Sequence, residues 1–354
     1  MMAGFSKNIA KLVGTIVITL GFLSLAIVAP IFLILRFSLL LLDQARRRGG
    51  LAGMMTGLSQ IFALESFEVT SSCNIVVHSV FDGHISLESL RALFVSKFLP
   101  SVSNPKSDPY ARLRQFWVKN MGFMWWVWVA DFRIQKHIRL YDYTESDLAI
   151  PTGICSEEDL KAVTASLLAK PFEAEQSPWE LLLIENYRSN ENFDGHPQCV
   201  LALRIHHALA DGISILQMML RLVGGDEVTG FVKPRSPQPS LAEKIAKILL
   251  VALRGPYDLA STYVDCFDFP NCWYVKDKGR RKEYHVFFSN VVPVWKIKEI
   301  MKKHKVCYNA VLYSIAAGAI VKLMNEVGQQ VPAKLSTMFS YPLANRPVGL
   351  VNYV

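Results

Sequence analysis

The string His206-His207-Ala208-Leu209-Ala210-Asp211-Gly212 holds the residues of this sequence best suited to chemistry. It follows an apolar, β-branched run, Cys199–Ile205, and precedes a second apolar segment, Ile213–Val223, so it falls where a strand ends and a helix begins. Successive side chains of an extended segment face opposite ways, which keeps the two imidazoles out of a common pocket. That argues against a shared metal and for a division of labour, one His reaching a site and the other supporting the backbone. Strand parity puts His207 on the face of Leu201, Leu203 and Ile205, which implies apolar surroundings. An imidazole so placed can work as a general base near neutral pH. Asp211 can cap the following helix or pair with an arginine, and Gly212 permits a tight backbone path or close approach by a ligand. A pair of structural histidines beside an Asp-Gly turn is the alternative for the same letters.

The elements that must position this string can be read along the chain. Cys73–Phe81 reads as a strand with turn chemistry at Asp82-Gly83, and Ser86–Phe98 as a helix capped by Ser86. Met124–Val129 is a second strand, with three Trp in six residues that serve either a buried face or ligand stacking. Ser156–Leu168 opens Ser-Glu-Glu-Asp, a good helix start. Gly224–Ser240 is rich in Gly, Pro and charge and marks a lobe boundary. Leu241–Leu253 is a basic amphipathic helix, for the membrane surface or for packing on the body. His285–Phe288 and Lys334–Ser340 read as strands, Val294–His304 and Cys307–Glu326 as helices. Alternating strands and helices give an α/β class.

Before all of these, Leu12–Leu35 carries no charge, and after Arg36 the apolar run continues to Leu42. As one helix it is about 31 residues or roughly 46 Å, against a hydrocarbon core of about 30 Å. It reads as a tilted span with Arg36 snorkelling to the interface, or as a hairpin bent near Pro30. A cleavable signal peptide fits less well, because the run outlasts a signal's apolar region and Pro30 directly follows Ala29. Arg46, Arg47 and Arg48 outweigh Lys7 and Lys11, which places the remainder in the cytosol. Gly49–Gly57 reads as a juxtamembrane linker.

Composition narrows the classes. Of 354 residues, 51% are hydrophobic and 19% charged, which excludes a disordered chain. The six cysteines lack CxxC spacing, so neither a structural zinc site nor a dense disulfide framework is expected. The net charge of +8 invites a nucleic-acid partner, but the basic clusters, Arg46–Arg48 and Lys276–Lys282, are not interleaved with aromatics. A membrane surface or a phosphorylated small molecule is the better partner, and nucleic acid is not expected.

An HHxxxDG string after a strand resembles the CoA-dependent acyltransferase superfamily, and further segments narrow the resemblance. Asp131–Ile138 is similar to the FDxxxHV segment of the bifunctional wax ester synthase/diacylglycerol acyltransferase family, Ser177–Glu185 to its PLWE segment, and Tyr341–Pro347 to its PVxxRP stretch. Asn309-Ala310 stands where the family has an Asn-Asp pair, so the acid is absent. The resemblance runs from about Cys73 to Val354. It implies a chloramphenicol-acetyltransferase-like fold of two lobes behind an N-terminal anchor, with the C-terminal part of the second lobe missing. The implied organisation is an anchor at 1–48, an N-terminal lobe at 49–225, a crossover linker at 226–284 and a partial second lobe at 285–354.

The same resemblance implies the chemistry. His207 would take the proton of a long-chain alcohol or diacylglycerol hydroxyl, with His206, Asp211 and Gly212 completing the catalytic motif. The acyl group would come from acyl-CoA as co-substrate, with no bound cofactor, no metal and no acyl-enzyme. Asn309 is the implied oxyanion donor or a helix cap, Arg346 the partner of Asp211 or a surface turn residue, and Trp179 packing beneath the motif strand. Lys276–Lys282 serves either CoA phosphates or a solvated loop. The expected product is wax ester or triacylglycerol. The expected place is the cytosolic face of the endoplasmic reticulum membrane, with lipid droplet and plasma membrane as alternatives. Ala310 and the early end of the chain also fit a catalytically silent, membrane-tethered lipid-binding or interaction protein. Peptide-forming condensation domains share HHxxxDG, but the anchor and the lack of carrier modules count against them.

Overall fold

A computed structural model describes residues 2–46, 51–64, 73–100, 108–144, 149–150, 154–188, 196–224, 240–267, 284–290, 292–332 and 346–353. Arg47, Arg48, Lys276–Lys282, the expected strand at Lys334–Ser340 and Tyr341–Asn345 lie outside these residues. Contacts divide the chain into two compact units, one formed by Met1–Phe37, Pro237–Gly279 and Ser289–Phe339, the other by Ser38–Ser236, Arg280–Phe288 and Ser340–Val354.

The second unit holds the sheet that carries the histidines. Its strands are β2 (Asn74–Asp82), β5 (Ile138–Leu140), β7 (Trp179–Arg188) and β8 (Gln198–His206), in the order β2-β8-β7-β5, with β6 (Cys155–Ser156) also paired to β7. β8 runs antiparallel to both neighbours, and all nine of its residues are buried. A central strand covered on both faces reads as the continuous apolar run CVLALRI. Leu201, Leu203 and Ile205 face a core formed with α3 (Leu87–Phe98) and α6 (Gly212–Leu222), whereas Val200 and Ala202 face α5 (Glu157–Ala169). The caps follow from sequence. Ser86 Oγ accepts from the Ser89 amide, and Ser156 and Asp159 form a reciprocal capping box on α5.

A smaller sheet in the same unit has the order β1-β4-β3, from β1 (Leu51–Met54), β3 (Gln115–Asn120) and β4 (Phe123–Trp128). β3 and β4 form a hairpin whose two turn residues, Met121 and Gly122, both have positive φ (50° and 80°), the turn that matches strand twist. Trp125 and Trp126 are buried, so the aromatic cluster is packing. β1 corrects the linker reading of Gly49–Gly57. The open edge of the Trp-rich strand β4 takes up Leu51–Met54, and α2 (Gly57–Ala63) starts immediately after, capped by Thr56.

The first unit is helical. α1 (Met2–Arg46) is one continuous helix through Pro30, so the hairpin alternative does not hold. Residues Ser6–Leu42 are long and apolar enough to cross a membrane. A proline costs such a helix one hydrogen bond and a kink without necessarily ending it. α7 (Leu241–Phe267) is longer than the expected Leu241–Leu253, running on through Pro256. It packs antiparallel to α1, with Lys11 paired to Asp265 at 2.9 Å and Gly14 against Ala260. α8 (Val294–His304) and α9 (Tyr308–Glu326) meet at 101°, with Lys305 left-handed at the corner. His285–Phe288, expected as a strand, belongs to the second unit and is irregular, since among the described residues no strand pairs with it.

Candidate active site

The ladder of β8 ends at His206, one residue short of the parity argument, and the chain then turns into α6. His206 is 2% exposed, its Nδ1 accepts from the Ala208 amide at 3.1 Å, and its ring lies 4.8 Å from that of Trp117. It braces the turn from inside. His207 is half-buried. Its amide donates to the Cys73 carbonyl at 2.8 Å, and its own carbonyl accepts from Asn352 Nδ2 at 2.9 Å. Its ring lies parallel to Phe62, with centroids 3.8 Å apart and planes 16° from coincidence. Phe62 packs against the core that contains Leu201, Leu203 and Ile205, so the apolar setting of His207 is present although the strand stops early. His207 Nδ1 is shielded and has no hydrogen-bond partner among the described residues.

Asp211 does not reach toward this ring. It caps α6 by accepting from Ser214 N–H at 3.0 Å, accepts from Tyr353 N–H at 2.8 Å, and pairs with Arg346 Nη2. Burial alone would raise the Asp211 carboxyl, but the Arg346 guanidinium and the two amides outweigh it and hold the group below its ordinary value. Arg346 donates further to the Tyr353 carbonyl and to Ser214 Oγ. Asn352 Nδ2 reaches the His207 and Ala208 carbonyls and Ser59 Oγ on α2. Residues 346–353 therefore form a clamp beneath the histidine turn. The clamp is seated at Gly349, where φ is +104° and an added Cβ would lie 2.2 Å from the Pro109 carbonyl. Arg112 supports the turn from another side by donating to the Leu209 carbonyl, and burial lowers its guanidinium to about 10 against the charge of Asp211. Gly212 opens α6 with open space around its Cα.

Trp179 lies on β7 opposite Ile205, fully buried. Its indole donates to the Leu113 carbonyl at 2.8 Å and stacks between Phe94 and His137, and Phe132 covers the other face of His137. His137 closes the short helix α4 (Ile134–His137) and bonds the Trp179 carbonyl at 2.7 Å, its imidazole pushed down by burial. The Asp131–Ile138 and Ser177–Glu185 segments thus meet in one aromatic column. Next to it, Glu180 is buried with Arg204 at 2.6 Å and Arg139 at 2.8 Å, and Tyr143 donates to it. A polar cleft of about 610 Å³ opens over this cluster, and neither histidine of the turn lines it. Among the described residues no group of three His, Cys, Asp or Glu could hold a metal ion. Asn309 belongs to the other unit, near the start of α9.

Residues 84–256 match the wax ester synthase/diacylglycerol acyltransferase catalytic domain. That stretch therefore belongs to the wax ester synthase/diacylglycerol acyltransferase family. It includes the aromatic column, the Glu180 cluster and the histidine turn, but neither α2 nor the clamp. No curated protein matches the chain significantly. Solved structures similar to it include a wax ester synthase/diacylglycerol acyltransferase from Marinobacter aquaeolei VT8 (18% identity over 57% of this chain and 46% of that one, TM-score 0.34). Others are the starter condensation domain of rhizomide synthetase RzmA (13% identity, 62% and 49%, TM-score 0.32) and the X-domain from teicoplanin biosynthesis (16% identity, 58% and 39%, TM-score 0.33). The chain spans less than half the length of each of these structures.

Proposed function

We propose that the protein is a membrane-bound O-acyltransferase that moves a fatty acyl group from acyl-CoA to a long-chain alcohol or diacylglycerol, yielding wax ester or triacylglycerol. One observation carries the assignment of the base. The side chains of His206 and Asp211 are engaged in holding the turn, whereas the half-buried His207 imidazole makes no hydrogen bond among the described residues and so is uncommitted.

In the proposed reaction the acceptor hydroxyl gives its proton to the His207 imidazole as its oxygen attacks the thioester carbonyl. The tetrahedral adduct collapses with cleavage of the C–S bond, and the imidazolium returns the proton to the departing thiolate. Ester and free CoA thiol result, and the base is regenerated. Phe62 and the adjoining core give this base apolar surroundings on one face. Asn309 remains the proposed oxyanion donor through its place in the family pattern only. α1 supports membrane attachment, on which both lipid substrates would be presented. Ala310, where the family has an acid, supports the second reading, a silent lipid-binding member.

Membranes bearing the full chain, given labelled palmitoyl-CoA and either hexadecanol or diolein, test the proposal. Ester should appear with at least one acceptor and fall about 10²–10⁴-fold in His207→Ala. Ester no more abundant than in that variant, with labelled acyl-CoA still retained, selects the silent member instead.

A further inference from the structure

We infer that Phe62 is the residue that orients the His207 ring, and thus a positioning residue for the acyl transfer proposed above, on which this inference rests. A general base is usually aimed by a group bonded to its second nitrogen. Among the described residues that role is unfilled. Asp211 has its oxygens on Ser214, Tyr353 and Arg346, and His207 Nδ1 has no partner among the described residues. The main chain of His207 is pinned at both ends, by Cys73 and Asn352, but that leaves the ring torsion open, and the terminal torsion of a histidine is broad. The near-parallel ring of Phe62 at 3.8 Å closes it, because only one ring plane lies flat on that face.

The placement of Phe62 is itself over-determined. Met55 is fully buried and its amide bonds the Met124 carbonyl, Thr56 caps the helix, and Gln60 donates back to the Met55 carbonyl. Ser59, on the same helix, accepts from Asn352 Nδ2, the group that also holds the His207 and Ala208 carbonyls. One amide therefore fastens α2 and the histidine turn together. The contact also has the right sign for catalysis. As His207 takes the proton it becomes cationic, and a cation is attracted to the negative face of an aromatic ring. The stack is then stronger in the transition state than in the ground state, the condition for raising kcat rather than lowering KM.

The full chain in its membrane, as Phe62→Leu and Phe62→Tyr, separates positioning from packing. Leucine preserves bulk without a ring face, and tyrosine preserves the face. Phe62→Leu should lower kcat about tenfold with KM for palmitoyl-CoA within twofold, and Phe62→Tyr should keep at least half of the parent rate. A second readout needs no turnover. Carbethoxylation of His207 by diethyl pyrocarbonate, followed by mass spectrometry, should quicken at least threefold in Phe62→Leu and not in Phe62→Tyr, with His206 and His137 unchanged as internal references. Equal losses in both variants, an unchanged kcat in Phe62→Leu, or an unchanged His207 modification rate would overturn the inference. If the parent makes no ester, acyl transfer fails as a reading, and the modification rates still decide whether Phe62 holds the ring.

Discussion

Replacing Asp211 by Asn and Arg346 by Met, singly and together, isolates the ion pair that fastens residues 346–353 beneath the histidine turn. Asn retains an oxygen for the Ser214 amide, so the cap on α6 survives, while its amide nitrogen faces the Tyr353 N–H and that one bond is lost with the charge. The side chains are 3% (Asp211) and 9% (Arg346) exposed, so either single change strands a buried charge. That costs about 3–5 kcal/mol, whereas removing both charges together is often nearly neutral. Arg346 would keep its carbonyl and hydroxyl acceptors and Asp211 its two amide donors, which favours the lower end, about 3 kcal/mol. At 1.4 kcal/mol per decade this is about a hundredfold. Hydrogen–deuterium exchange reads it locally. The amides of Ser214 and Val351 are bonded into the clamp and should exchange about a hundredfold faster in each single variant, with most of the protection regained in the double one. Single variants within threefold of the parent, or a double variant no better than the worse single, would refute charge pairing as the fastening. Acid provides a second arm. The Asp211 carboxyl sits below its ordinary value of 3.8, so its contribution is present above that pH and lost as pH falls through the folded value. Arg346→Met removes the strongest of the contacts that lower this carboxyl, so protection should be lost at higher pH than in the parent.

Four further outcomes are expected. Burial pushes the His78 imidazole from 6.5 down to about 4, so between those values the unfolded chain binds a proton that the folded chain does not. Resistance to urea should therefore fall by up to about 3 kcal/mol as pH drops across that window, and His78→Gln should flatten the slope. Gly349→Ala should unseat the clamp from Pro109, seen as faster exchange at Leu350, Val351 and Tyr353 with unchanged exchange in β7. Trp179→Ala should lower stability by about 3–5 kcal/mol in urea unfolding, whereas Trp179→Phe, which forfeits the bond to Leu113, should cost about 1 kcal/mol more than packing alone explains. If α1 spans a bilayer, as proposed, the chain should stay with membranes through an alkaline carbonate wash, and a version lacking residues 2–46 should be released.

What was legible in the sequence was mostly local. β2, β8 and the caps at Ser86 and Ser156 announce themselves through β-branched runs and capping residues a few positions apart. The histidine turn was visible for the same reason, as was the option of an Arg346–Asp211 pair once the family pattern placed Arg346. β7 stands out in the sequence as a motif and not as a strand, since WELLLIENYR is apolar without alternation and its strand character comes from burial between β8 and β5. β1 was hidden because four residues have no pattern, and only the free edge of β4 makes them a strand. His285–Phe288 shows the converse, strand-like letters with no partner among the described residues. Phe62, Ser59 and Asn352 carried no signal, for each matters through a contact with residues more than a hundred positions away.

The clamp has a consequence for how the protein is made. Arg346 and Asp211 are 135 residues apart in sequence. A ribosome adding about 5–20 residues per second needs roughly 7–27 s to synthesise that interval. Throughout it, β8 and the start of α6 exist without Arg346, Asn352 or the Tyr353 amide, and the Asp211 carboxylate lacks the guanidinium that pairs with it directly. The histidine turn is thus among the last parts of its unit to close during translation. A nascent chain carries the histidines well before it can hold them still.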